Sequence, residues 1–124
     1  MSKQEKQKLF DTSYLHIMRQ GEPSIQNSLC VYKSDSGLSC AAAPFIINYH
    51  PQMEENDFCN VIKDFPEDVD PIAVNNANFV VLLQKAHDFS KDINNSRFLE
   101  KYKEIMAGIS HNYGLTIPDV GQVL

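Results

Sequence analysis

The sequence predicts an α+β fold that is predominantly helical: an N-terminal helix, a small β-hairpin and a C-terminal antiparallel helix pair. Three observations predict it. Apolar side chains recur at helical spacing near both ends of the chain. Between them a β-favouring run, Leu29 to Lys33, meets a cluster of turn formers. A length of 124 residues with 43% hydrophobic content suits one core, so residues 1–124 are expected to form a single domain.

The first helix is expected over 2–20. Phe10, Tyr14, Ile17 and Met18 fall at i, i+4, i+7 and i+8, which places them on one stripe. Gly21 and Pro23 end it, the first as a left-handed cap and the second as a breaker. Leu29-Cys30-Val31-Tyr32-Lys33 then reads as a strand, Ser34-Asp35-Ser36-Gly37 as a turn, and Leu38 to Cys40 as the returning strand. In the simplest register Cys30 faces Cys40 and Tyr32 faces Leu38. Ala41-Ala42-Ala43 favours helix, but Pro44 follows at once. Either Cys40 opens a short buried helix, or residues 38–48 run on as strand and irregular chain. Both versions bury Phe45, Ile46 and Ile47.

Residues 49–76 are rich in Pro, Asn, Asp and Glu, with room for one short helix near Asp57 to Lys63 burying Phe58 and Ile62. Asn78 to Ser90 carries Phe79, Leu82, Leu83 and Ala86 on one face. The last helix, capped by Asn95 or Ser96, carries Phe98, Tyr102, Ile105, Ile109 and Tyr113 and stops at Gly114. A short polar link between these two makes an antiparallel pair.

Net charge is −5, from 11 basic and 16 acidic residues. The basic residues are dispersed, and Lys3, Lys6 and Lys8 read as the solvated face of the first helix. Nucleic acid is therefore not expected as a partner, and an anionic membrane surface is disfavoured. No apolar run approaches the ~20 residues of a membrane span, and Met1 to Lys8 lacks the apolar stretch of a secretory signal. Three cysteines, an odd number, make no disulfide framework. The expected location is the cytoplasm, with the thiols reduced.

From Cys30 to Glu55 a pattern stands out: Cys30-Val31-Tyr32, Gly37-Leu38-Ser39-Cys40-Ala41, Phe45-Ile46-Ile47, Tyr49 and Met53-Glu54. It resembles a family of small uncharacterised proteins encoded by bacteria and their phages. The likeness extends to Leu82-Leu83-Gln84, His87-Asp88 and Tyr113-Gly114-Leu115, and the chain departs from it at Ala43-Pro44. The resemblance implies one domain and carries no activity. Tyr32, Tyr49 and Glu54, all within the pattern, are candidate binding residues.

Four chemistries are open to these residues. Cys40 at the start of a helix would gain thiolate character, and His50 or His87 could act as its base. The more ordinary reading of Cys40 is a small buried thiol. His87 and Asp88, about 100° apart on a helix, are not expected to pair with each other. Cys30, Cys40 and Cys59 with a histidine would suit zinc, but no CxxC or HxxxH spacing supports it, and no metal is expected. Neither GxGxxG nor GxxxxGK[ST] occurs, so no nucleotide cofactor is expected. The acidic residues at 54–57 and 64–70, around Phe58, Phe65 and Val69, could form a partner surface. A solvated connection with its aromatics in the core is the commoner explanation. The reading that follows is a non-enzymatic accessory or protein-interaction domain acting on a protein partner. The alternative is a small cysteine-dependent hydrolase or transferase.

Overall fold

The N-terminal stripe folds as one helix, α1 (Ser2–Gln20), in the computed structural model, which describes residues 2–27, 29–91 and 96–120. Phe10, Tyr14 and Ile17 are buried and Met18 is half-buried, as their spacing predicts. Leu9 and Ser13 join them.

The hairpin is built from other residues than expected. β1 (Ile25–Gln26) pairs antiparallel with β2 (Leu29–Cys30), Ile25 opposite Cys30. Asn27 opens the connection at φ 54°, a left-handed conformation that Asn tolerates better than most residues. Residues 38–40 contribute only a single bridge, Lys33 opposite Ser39. The Cys40 N–H donates to Tyr32 O at 3.0 Å beside that bridge. Tyr32, not Cys30, therefore lies across from Cys40, and the two thiols do not face each other. The cause is local. The Ser34 hydroxyl accepts from the Leu38 N–H, and the Ser34 N–H donates to Leu38 O, which closes a tight loop and sets the register.

Cys40 does not open a helix. Cys40, Ala41 and Ala42 pass through the core with no exposed surface. A buried irregular segment must satisfy its main-chain groups, and this one does so through neighbouring helices. Ser13 Oγ donates to Ala41 O at 3.0 Å, and the Ala42 N–H donates to Gln84 Oε1 at 3.0 Å. Small side chains are what let the chain pass so close to two helices. A 3-10 turn, Ala43–Phe45, accommodates Pro44 in its first turn. Phe45 is then buried and Ile46 half-buried, but Ile47 is 61% exposed, against the expectation that all three enter the core. Ile46 bridges to Val69, and the Ile47 N–H bonds Asp68 O, so the chain leaves the core here as an extended segment held against residues 68–69.

A second 3-10 turn, Pro51–Glu55, leads to α2 (Phe58–Asp64), whose N-cap Asp57 accepts from the Asn60 N–H at 2.9 Å. Phe58 and Val69 are buried and Phe65 is half-buried, stacked on His50, so the acidic connection keeps two of its three apolar residues inside. After a 3-10 turn at Pro66–Asp68 come α3 (Pro71–Asn75), α4 (Ala77–Phe89) and α5 (Phe98–Tyr113). Arg97 holds the N-cap position of α5 in place of Ser96; Asn95 lies outside the described residues.

Helix α4 is the centre of the molecule and touches α1, α2, α3 and α5. Phe79 near its start meets Tyr113 at the end of α5, and His87 near its end meets Phe98 at the start of α5, so the pair is antiparallel. A row of rings joins three helices: Phe10, Tyr14, Tyr102, Phe98 and His87, with neighbouring centroids 5.7–6.1 Å apart. No helix among the described residues is long and apolar enough to cross a membrane.

Candidate functional site

Three residues singled out in the sequence converge on one carboxylate. Glu54 Oε1 accepts from the Tyr32 N–H at 2.8 Å. Its Oε2 accepts from the Lys33 N–H at 3.0 Å and from the Tyr49 hydroxyl at 2.6 Å. The 3-10 turn at Pro51–Glu55 aims Glu54 at the edge of the Tyr32–Lys33 segment, and Lys33 Nζ lies over the Tyr49 ring, 5.2 Å from its centroid. Burial and the Glu54 carboxylate both push the Tyr49 hydroxyl pKa up, so it stays a donor. Tyr32 is spent in the same way, its hydroxyl donating to Asn56 O at 2.9 Å. These groups form a brace between two surface depressions.

The depression of about 190 Å³ on one side is lined by Tyr32, Glu54, Asp57, Lys85, Asp88 and Cys30 among others. Behind it Cys30, His87 and Asp88 place a sulfur, a ring nitrogen and a carboxylate oxygen within 4.8 Å of one another. His87 and Asp88 do pair, contrary to expectation: Nδ1 lies 2.9 Å from Asp88 Oδ1, because the ring edge turns toward the next residue in the helix. The Ser24 N–H points at His87 Nε2 from 2.9 Å. A main-chain N–H can only donate, so Nε2 is the acceptor and Nδ1 carries the hydrogen that goes to Asp88. A metal at Nδ1 would displace that hydrogen and leave Nε2–H facing another N–H. The arrangement is a hydrogen-bond junction that ties the Ser24 loop to α4. Cys30 faces the Asp88 carbonyl at 4.0 Å; burial first, then the Asp88 carboxylate, push its thiol up to about 11.

The candidate nucleophile is sealed. Cys40 has no exposed surface, and burial raises its thiol far above the ordinary range, outweighing the N–H groups of Ala42 and Ala43 near the sulfur. Neither candidate base serves it. His50 bonds Asp68 Oδ2 at 2.9 Å and stacks on Phe65, and His87 is committed at both nitrogens. The three cysteines are also scattered, with Cys59 exposed on α2 and Cys40 in the core, so they form no shared ligand set.

On the other side of the brace lies a groove that the sequence did not reveal. One part, about 270 Å³, is lined by His16, Lys33, Ser39, Ile46, Ile47 and Tyr49 among others. It shares His16 and Pro44 with a wider, shallower part, about 670 Å³, that runs along Thr12, Leu15, His16 and Arg19 of α1. Those four positions sit at i, i+3, i+4 and i+7, one face of the helix, opposite to the buried stripe. Among the described residues, no Asp or Glu lines either part, and neither Lys33 nor Arg19 has an ion-pair partner. His16 Nε2 is 2.9 Å from Ser39 Oγ and 3.2 Å from Ser39 O. The carbonyl can only accept, so Nε2 carries a hydrogen shared between the two oxygens, and the Ser39 hydroxyl hydrogen points elsewhere. The only signal for this groove in the sequence was negative: Ile47 follows two apolar residues in a stretch whose strand or helix period could not be assigned.

No family model, curated protein or solved structure matches the chain.

Proposed function

We propose that this chain is a non-enzymatic protein-interaction domain, an accessory protein of bacterial or phage origin, which meets its partner through the groove between α1 and the Ser39–Tyr49 segment. The observation that carries the reading is Ile47: a large aliphatic side chain, 61% exposed, on a groove beside two cations, Lys33 and Arg19, that have no ion-pair partner among the described residues. Exposed apolar surface rimmed by polar groups marks a contact site. The buried Cys40 and the committed nitrogens of His87 speak for binding rather than covalent chemistry. The origin rests on the Cys30–Glu55 pattern, and action in the cytoplasm on the acidic composition and the free thiols of Cys30, Cys40 and Cys59.

Photo-crosslinking tests the reading. A benzophenone amino acid in place of Ile47 is expected to trap a defined protein in extracts of the native cell, whereas the same group in place of the exposed Lys103 on α5 traps none. Equal capture from both positions would refute the groove as the contact surface.

A further inference from the structure

Within that interaction reading, we infer that the groove docks an acidic segment of a partner protein, its carboxylates meeting Lys33, Arg19 and the Ser39 hydroxyl while its apolar side chains cover Ile47 and Pro44. The polar complement of the groove is one-sided. Lys33, Arg19 and the Ser39 hydroxyl can all donate, whereas the His16 hydrogen is spent on Ser39, and no carboxylate is among the described lining residues. The Glu54 carboxylate that reaches Tyr49 is already used by three donors. On a chain of net charge −5, the depression on the far side of the Glu54 brace is lined instead by Glu54, Asp57 and Asp88. Opposite potentials across an interface steer and select the partner.

The dimensions point the same way. Lys33 lies in one part of the groove and Arg19 in the other, and the two parts meet at His16 and Pro44. Volumes of about 270 and 670 Å³ hold more than one side chain, so a peptide segment fits the length of the groove. Exposed Ile47 and Pro44 supply the apolar floor. A nucleic acid is a poor fit, since phosphate-backbone binding rests on many Lys and Arg contacts, and Lys33, Arg19 and His16 are the only basic residues in the described lining.

The test is selection of short random peptides, displayed on a carrier, against the immobilised full chain. Selected peptides are expected to carry Asp or Glu beside Ile, Leu, Val or Phe. Their affinity falls about tenfold on Lys33→Glu or Arg19→Glu and falls with added salt. Lys103→Glu, the same charge change on α5, leaves it unaltered. Exchanging Lys for the acidic residues of a selected peptide is expected to favour the Lys33→Glu protein over the wild type. Neutral or basic selected peptides, or affinity indifferent to Lys33→Glu and Arg19→Glu, would overturn the inference. So would binding of single-stranded DNA or RNA oligonucleotides that Lys33→Glu abolishes, or self-association that it abolishes, which would give the groove to another occupant. Both variants are at exposed positions, and their thermal unfolding reports whether they fold. If crosslinking at position 47 still traps a partner while the selected peptides are not acidic, the interaction domain stands and this inference falls.

Discussion

Glu54 holds two main-chain N–H groups and a tyrosine hydroxyl, and in doing so keeps Lys33 and Tyr49 at the edge of the groove. The three thiols show as clearly how surroundings dictate what a residue does. Cys59 is exposed, Cys30 is half-buried beside the Asp88 carbonyl, and Cys40 is closed off completely. Alkylation needs both access and thiolate. At pH 8 iodoacetamide is therefore expected to modify Cys59 first, Cys30 slowly because its thiol is pushed up to about 11, and Cys40 only after unfolding. Intact-mass and peptide mapping over time check this order. Rapid modification of Cys40 in the folded protein would reopen the cysteine-hydrolase alternative. Of the residues named from the sequence, Tyr32, Tyr49 and Glu54 belong together in space, while Cys40, His50 and His87 do not. The difference is physical: the first three are joined by hydrogen bonds across short loops, whereas a Cys–His relay would need an open cleft that the small residues around Cys40 close.

At the scale of elements, α4 does more than fill the core. Gln84 accepts from the Ala42 N–H and donates to Asp88 at 2.8 Å, and His87 accepts from the Ser24 N–H. One helix thus satisfies main-chain groups of two separate loops. Gln84→Ala is expected to leave the buried Ala42 N–H without a partner and to cost about 1–3 kcal/mol. Gln84→Glu in an Asp88→Asn background, which keeps the acceptor without setting two carboxylates together, is expected to cost less. Urea denaturation of the two variants measures the difference; an equal loss would show that the side chain's packing matters more than its acceptor. The long helices α1, α4 and α5 were legible in the sequence because each spans several turns of apolar repeat, whereas the five-residue α3 was not. A small hairpin was legible too, but the residues that pair in it were not. Its strands are two residues each, too short to show alternation, and the apolar run at 29–33 drew attention to the wrong partner.

For the whole molecule, charge and burial combine in a pH dependence. Burial lowers the pKa of His16, although hydrogen bonds to the Ser39 and Cys40 main chain offset part of this. The folded state therefore resists a proton that the unfolded chain accepts near its ordinary value of about 6.5. Unfolding stability is unaffected by this group above that pH and declines as pH falls through it, levelling off only below the folded pKa. Denaturation midpoints measured between pH 7.5 and 5 are expected to fall more for the wild type than for His16→Gln. Equal slopes would mean that His16 takes up its proton without penalty. The same residue lines both parts of the groove, so the proposed contact surface and this titration share one location.

Local pattern in the chain was enough for the balance of helix to strand, the stripe that α1 buries, the antiparallel C-terminal pair and the glycines that end α1 and α5. These follow from local periodicity and from residues whose backbone preferences act within a few positions. Long-range packing set the rest: Cys40 is closed, His87 and Asp88 form a junction with Ser24, and Ile47 faces outward on a groove shared with Lys33, His16 and Arg19. Those outcomes depend on which distant segments supply hydrogen bonds to a buried loop, and no local pattern in the chain encodes that choice.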